Sequence, residues 1–133
     1  MLRVLIADNR QTTAEYMAET LANHGFHATA VYSGQKAVEL AAVLRPDVLV
    51  CEALMPEMTG IEAGILIRLM LPSCRVILFA EHGLTKELFE RARLQGHQFE
   101  TLEKPFEPKI LLTSLGTADS KAATRGVRDL NRS

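Results

Sequence analysis

The chain has 133 residues, room for one ordinary domain and not for two. Apolar residues make up 47% and charged residues 23%, which supports a buried core and excludes wholesale disorder. Fifteen Lys and Arg against sixteen Asp and Glu leave a formal charge of −1, so no broad basic face for nucleic acid is expected. No apolar run nears the roughly 18 residues of a membrane span, and Asp8 interrupts the opening M-L-R-V-L-I-A-D too early for a signal peptide. Cys51 and Cys74 form no C-x-x-C pair, which suits a reduced, cytoplasmic protein.

Taken in chain order, short apolar runs alternate with helical patterns. The run through Ala7 (R-V-L-I-A) reads as a strand buried on both faces. Thr12 or Thr13 is expected to cap a helix reaching about His24, stopped by Gly25. A second strand falls near Phe26 to Ala30, and Ser33 opens a helix whose Ala37, Leu40, Ala41 and Leu44 share a face before Pro46. The third strand is Asp47 to Cys51, followed by a loop from Ala53 to Gly60 and an apolar helix from Ile61 to Leu71. Arg75 to Phe79 gives the fourth strand, Leu84 to Gln95 a charged helix, and Phe99 to Leu102 a weak fifth strand. Pro108 sits in the first turn of a last helix ending near Leu115.

Five strands, each followed by a helix, argue an α/β fold: a doubly wound parallel sheet with helices on both faces. The folded domain is expected over residues 1–115, with 116–133 a flexible tail rich in Ala, Ser, Thr, Gly and Arg. Lys121, Arg125, Arg128 and Arg132 against Asp119 and Asp129 give that tail +2, so the body carries −3. A tail of 18 residues is too short to be a folded output domain.

Polar groups of such a sheet gather where its strands end, near the switch in strand order. Asp8 and Asn9 end the first strand, Glu52 ends the third, and Lys104 follows the fifth, just before Pro105. Satisfied caps and surface charges would explain any one of them. Their convergence on one rim argues for a site.

Here the chain resembles the receiver domain of two-component response regulators, over about Leu2 to Leu115. The motifs are V-L-I-A-D-N, S-G-Q-K-A-V-E-L, P-D-V-L-V-C-E-A-L-M-P-E-M-T-G and K-P-F. Pro56 and Gly60 hold the family's loop positions, and Lys104, Pro105 and Phe106 its lysine motif. The resemblance implies a flavodoxin-like sheet of order 2-1-3-4-5 and a phosphorelay role. Its chemistry uses an acid pair, a phosphorylated Asp, a Thr or Ser and the lysine, with Mg²⁺ neutralising the incoming phosphoryl group.

At three of those five positions the chain departs from the family. Asn9 replaces the second acid, Glu52 stands in place of the phospho-acceptor Asp, and Ala80 holds the Thr or Ser position. Thr101 stands where many receivers carry an aromatic residue or His that swings inward. The extra methylene of Glu52 moves its carboxylate by about 1.5 Å, a misplacement that in-line attack tolerates poorly. Asp8, Glu52 and Lys104 leave the pocket one negative charge where a standard site has two, so Mg²⁺ is expected to bind Asp8, Asn9 and Glu52 weakly or not at all. Glu52 is expected to reach Lys104 directly, giving a pseudo-receiver that is no enzyme, carries no cofactor and works by contact with a protein. The resemblance implies a histidine kinase, phosphotransfer or effector protein as partner, and a homodimer through the fourth helix, fifth strand and fifth helix.

Other features of the chain admit other readings. Cys51 beside Glu52 offers a thiolate nucleophile for a small cysteine-dependent enzyme, although a small apolar residue filling a strand explains it as well. The loop D-N-R-Q-T-T, with Arg10, lacks the glycines a flavin phosphate needs. His24, His27, His82 and His97 lie on separate connections and read as surface residues. Burial accounts for the helix from Ile61, unless Ile67 and Met70 form an exposed docking patch. Lys86, Glu87, Glu90, Arg91 and Arg93 mark either a dimer face or a solvated one.

Overall fold

The computed structural model describes residues 1–81, 83, 86–104 and 106–116. The expectations placed on His82, Leu84, Pro105 and the tail from 117 onward lie outside the described residues. The elements run β1 (Arg3–Ala7), α1 (Gln11–Ala22), β2 (His27–Val31), α2 (Gly34–Leu44) and β3 (Val48–Glu52). They continue with α3 (Gly60–Met70), β4 (Arg75–Glu81), α4 (Lys86–Leu94), β5 (Glu100–Lys104) and α5 (Pro108–Leu115). The sheet has the order β2-β1-β3-β4-β5, every neighbouring pair parallel. This is the doubly wound, flavodoxin-like arrangement the sequence implied.

Alternation along the central strands makes two cores, one on each face. Leu5, Leu49, Cys51, Val76 and Leu78 pack beneath α2, α3 and α4 with Ala37, Ala41, Ile67 and Ala92. Val4, Ile6, Val48, Val50, Ile77 and Phe79 pack beneath α1 and α5 with Met17, Leu21, Leu111 and Leu115. All five residues of β3 are buried, as a strand covered on both sides requires.

Several boundaries differ from the sequence expectation, each for a local reason. Neither Thr12 nor Thr13 caps α1; the helix starts at Gln11 with Arg10 as its N-cap, and the carboxylate of Asp8 accepts the Arg10 N–H at 2.9 Å. That bond turns the chain toward the helix but engages the N–H of the N-cap residue itself, so no side chain caps the first turn of α1. Ser33 does cap α2, accepting from the Lys36 N–H. β4 runs on to Glu81, and Lys104 lies within β5, because Ala80 and Glu81 pair with Glu103 and Lys104.

The helix α3 corrects the docking-patch expectation. Its buried stripe is Gly60, Ile61, Ala63, Gly64 and Ile67, so Ile67 is fully enclosed and Met70 half-buried. The helical period places Leu66 and Leu69 on the outer side instead, 41% and 72% exposed. On α4 only Ala92 is buried; its charges face solvent, where Arg91 pairs with Glu87 at 3.9 Å and Arg93 with Glu90.

Candidate functional site

Alternation also builds the site. On β1 the face of Val4 and Ile6 continues to Asp8, and on β3 the face of Val48 and Val50 continues to Glu52. Leu102 packs on that same core, and two residues later Lys104 follows its direction. Three charged groups thus converge above one core from three strands. Asp8 is fully buried and Glu52 nearly so.

The Lys104 ammonium donates to Glu52 Oε1 at 2.6 Å and stands 3.7 Å from Asp8 Oδ2. A charge-assisted bond of that length, with the Lys104 and Glu52 side chains 15% and 12% exposed, is shielded from most solvent screening. Glu52 Oε2 accepts the Leu54 N–H at 3.3 Å. Asp8 Oδ1 holds the Arg10 N–H, while Asp8 Oδ2 is buried with no hydrogen bond, its charge facing the ammonium. The ammonium also stands 5.1 Å from the centre of the Phe79 ring, which meets Phe106 edge-on at 5.8 Å.

The loop beyond Glu52 is held close by two glycines. A Cβ on Gly60 would lie 2.0 Å from the Glu52 carbonyl oxygen, and one on Gly34 would lie 2.8 Å from the Met58 carbonyl oxygen. Only residues without a side chain let α3 start directly over β3 and α2 press on the loop. Thr59 and Glu62 close a capping box at the start of α3, the Thr59 hydroxyl accepting the Glu62 N–H at 3.1 Å. Pro56 lies exposed on the loop, and the next residue, Glu57, takes φ +67° as the Met58 N–H turns back to the Pro56 carbonyl.

The structure thus brings together Asp8, Glu52 and Lys104. Asn9 and Ala80 line a small cavity of about 210 Å³ above them, which Arg10, Leu54 and Glu81 also border. Thr101 does not join them. It pairs with Leu78 in β5, exposed on the α4 side of the sheet. Sequence reasoning passed over Glu81 and the ring of Phe79; counting by twos from Ile77 along β4 finds both on the face of Lys104.

Magnesium, which the family resemblance implies, meets a poor donor set here. Asp8 and Glu52 are the two carboxylates at the centre, and the Lys104 ammonium already lies between them. Among the described residues no group of three or more His, Cys, Asp and Glu is placed to hold a metal. His24 is instead tied back to its own helix, with Nδ1 2.9 Å from the Thr20 carbonyl oxygen.

The cysteine reading fails on geometry. Cys51 is completely buried and belongs to the core opposite Glu52. Burial, then the charges of Glu52 and Asp8, push its thiol far above the ordinary range, the reverse of what a thiolate nucleophile needs. Cys74 is raised to about 11, chiefly by burial.

Comparison with known proteins follows the same lines. A family model described as the response regulator receiver domain matches residues 4–116. Chemotaxis protein CheY of Thermotoga maritima is 28% identical over 114 residues, which is 85% of this chain and 93% of that protein. Transcriptional regulatory protein PdtaR of Mycobacterium tuberculosis is 32% identical over 122 residues, covering 90% of this chain. The match spans 57% of PdtaR, little more than half its length. Among solved structures, Vibrio cholerae CheY4 superposes with a TM-score of 0.76 at 26% identity, over 86% of this chain and 96% of that one. A receiver domain from Clostridium thermocellum gives 0.79 over 96% and 99% at 19% identity, a likeness of fold alone.

Proposed function

The chain belongs to the response regulator receiver domain family, and from that premise we propose that it signals by protein contact without phosphotransfer at its altered site. One observation carries the reading: Lys104 Nζ lies 2.6 Å from Glu52 Oε1. Receivers bring their lysine to a phosphoryl group on the acceptor Asp. Here the longer arm of Glu52 supplies a permanent carboxylate to the same lysine, so the contact forms with no donor. Ala80 offers no hydroxyl to read a phosphate, and Asn9 contributes no second charge toward Mg²⁺.

The pair joins β3 to β5, residues 52 positions apart in sequence. It fixes the edge strand and, through β5, the α4 side that faces solvent. A histidine kinase, phosphotransfer protein or effector is the class of partner proposed, docking in the cytoplasm, with no cofactor required. A homodimer through α4, β5 and α5 is compatible with the same surface.

Acetyl phosphate or beryllofluoride with Mg²⁺ tests the proposal by intact mass and by Mg²⁺ titration. The expected result is no adduct and no tight Mg²⁺-dependent complex; a covalent adduct at Glu52 would overturn it. A second reading keeps weak Mg²⁺ binding, and one observation favours it: the buried Asp8 Oδ2 without a hydrogen bond. The same titration decides between them. Pull-down with wild type and Glu52→Gln then asks whether the carboxylate matters for output, loss of a partner being the expected outcome.

A further inference from the structure

A second cavity lies beside the ion pair, between α1 and the segment leading into α5. Its volume is about 380 Å³, within the size range of small-molecule sites. Tyr16, Met17, Phe79, Phe106 and Pro108 form its walls. Phe79 is fully buried and closes the floor, whereas Tyr16 is 58% exposed at the side. The aromatic residues are few in this chain, 5% of the sequence, and three of them meet here.

The mouth carries charge of both signs. Arg10 and Glu81 line this groove and also the smaller cavity above Glu52. Among the described residues neither side chain has an ion-pair or hydrogen-bond partner, in contrast to Lys104, which Glu52 already holds. A ligand of one charge entering the groove would satisfy one of them and desolvate the other. A molecule with an apolar ring, a carboxylate and an ammonium satisfies both.

We propose that the groove between α1 and α5 binds a free aromatic amino acid, the ring against Tyr16, Phe79 and Phe106, the carboxylate on Arg10 and the ammonium on Glu81. The site does not depend on the chemistry at Glu52. It adds an input by ligand to a domain proposed above to have lost its input by phosphate.

The chain contains no Trp, so indole emission reports the ligand alone. L-Tryptophan is titrated with the full chain, beside tryptamine, which lacks the carboxylate, and indole-3-propionate, which lacks the ammonium. The expected result is a saturable blue shift, with each truncated probe binding about tenfold more weakly, the loss of one charge-assisted bond. Arg10→Ala should erase the preference over tryptamine, and Glu81→Ala the preference over indole-3-propionate. Thr13→Phe fills the groove and should abolish binding of all three, with an unchanged melting transition showing that the fold is intact. No saturable shift would overturn the proposal. Equal affinity for the three probes would also overturn it, because a plain apolar groove of that kind suits a side chain of a protein partner. So would binding that survives Thr13→Phe in the folded protein.

Discussion

Strands β3 and β5 belong to one sheet but are held by different means. β3 is buried at every residue from Val48 to Glu52, with apolar cores above and below it. β5, at the sheet edge, exposes Glu100, Thr101 and Glu103 and is tied by polar contacts. Arg75 grips Glu100 through two bonds of 2.7 Å, and Lys104 reaches across to Glu52. An apolar core gives no handle to a change of charge. An edge strand anchored by ions does, and in this fold that edge carries the face toward solvent.

The difference can be broken at either end. The largest effect is expected at Gly60→Ala, because a methyl 2.0 Å from the Glu52 carbonyl forces the loop and α3 apart. A loss of about 4 kcal/mol in denaturant unfolding is expected. In the core, Leu49→Ala should cost about 3 kcal/mol, the ordinary result of emptying a fully buried leucine site. At the junction, Lys104→Met leaves Glu52 and Asp8 facing each other without a cation. The expected loss is about 2 kcal/mol, below the value for a wholly dry pair because the lysine side chain is 15% exposed. At the far end of β5, Glu100→Gln should cost only about 0.5 kcal/mol, as that carboxylate side chain is 49% exposed.

The smallest effect near neutrality comes from the thiols. A thiol whose folded pKa is raised favours the folded state while it stays protonated, so its contribution is complete below the ordinary value of about 8.5. Stability should therefore fall as pH rises from there toward about 11, the value for Cys74. Cys74→Ala should make that alkaline decline about half as steep, because the buried Cys51 thiol, also raised, contributes an equal slope. A decline of equal slope in the variant would place its origin elsewhere.

Much of this was legible in the residues because the central strands obey simple rules. Uninterrupted apolar runs at Leu5, Val50 and Ile77 announce buried parallel strands, and the motifs around Asp8, Glu52 and Lys104 place the charged rim. Legibility failed where a side chain acts at a distance from its own element. No side chain caps α1; Asp8 instead holds the Arg10 N–H at its entrance, and nothing local to Thr12 or Thr13 signals that. The outward leucines of α3 were hidden by a helix apolar nearly all round, whose phase only the packing against β4 and Phe99 defines. β5 has too little apolar residue to reveal its end, so Lys104 looked like a loop residue. The Glu52–Lys104 pair itself was foreseeable from the length of the Glu52 side chain and the rim that the strand ends share.

Amide hydrogen exchange on wild type and Glu52→Gln measures most directly whether that pair ties the edge to the core. The account predicts faster exchange across β5 and α4 in the variant, with β1 and β3 protected as before. Unchanged exchange in β5 and α4, in a variant that is folded, would contradict it.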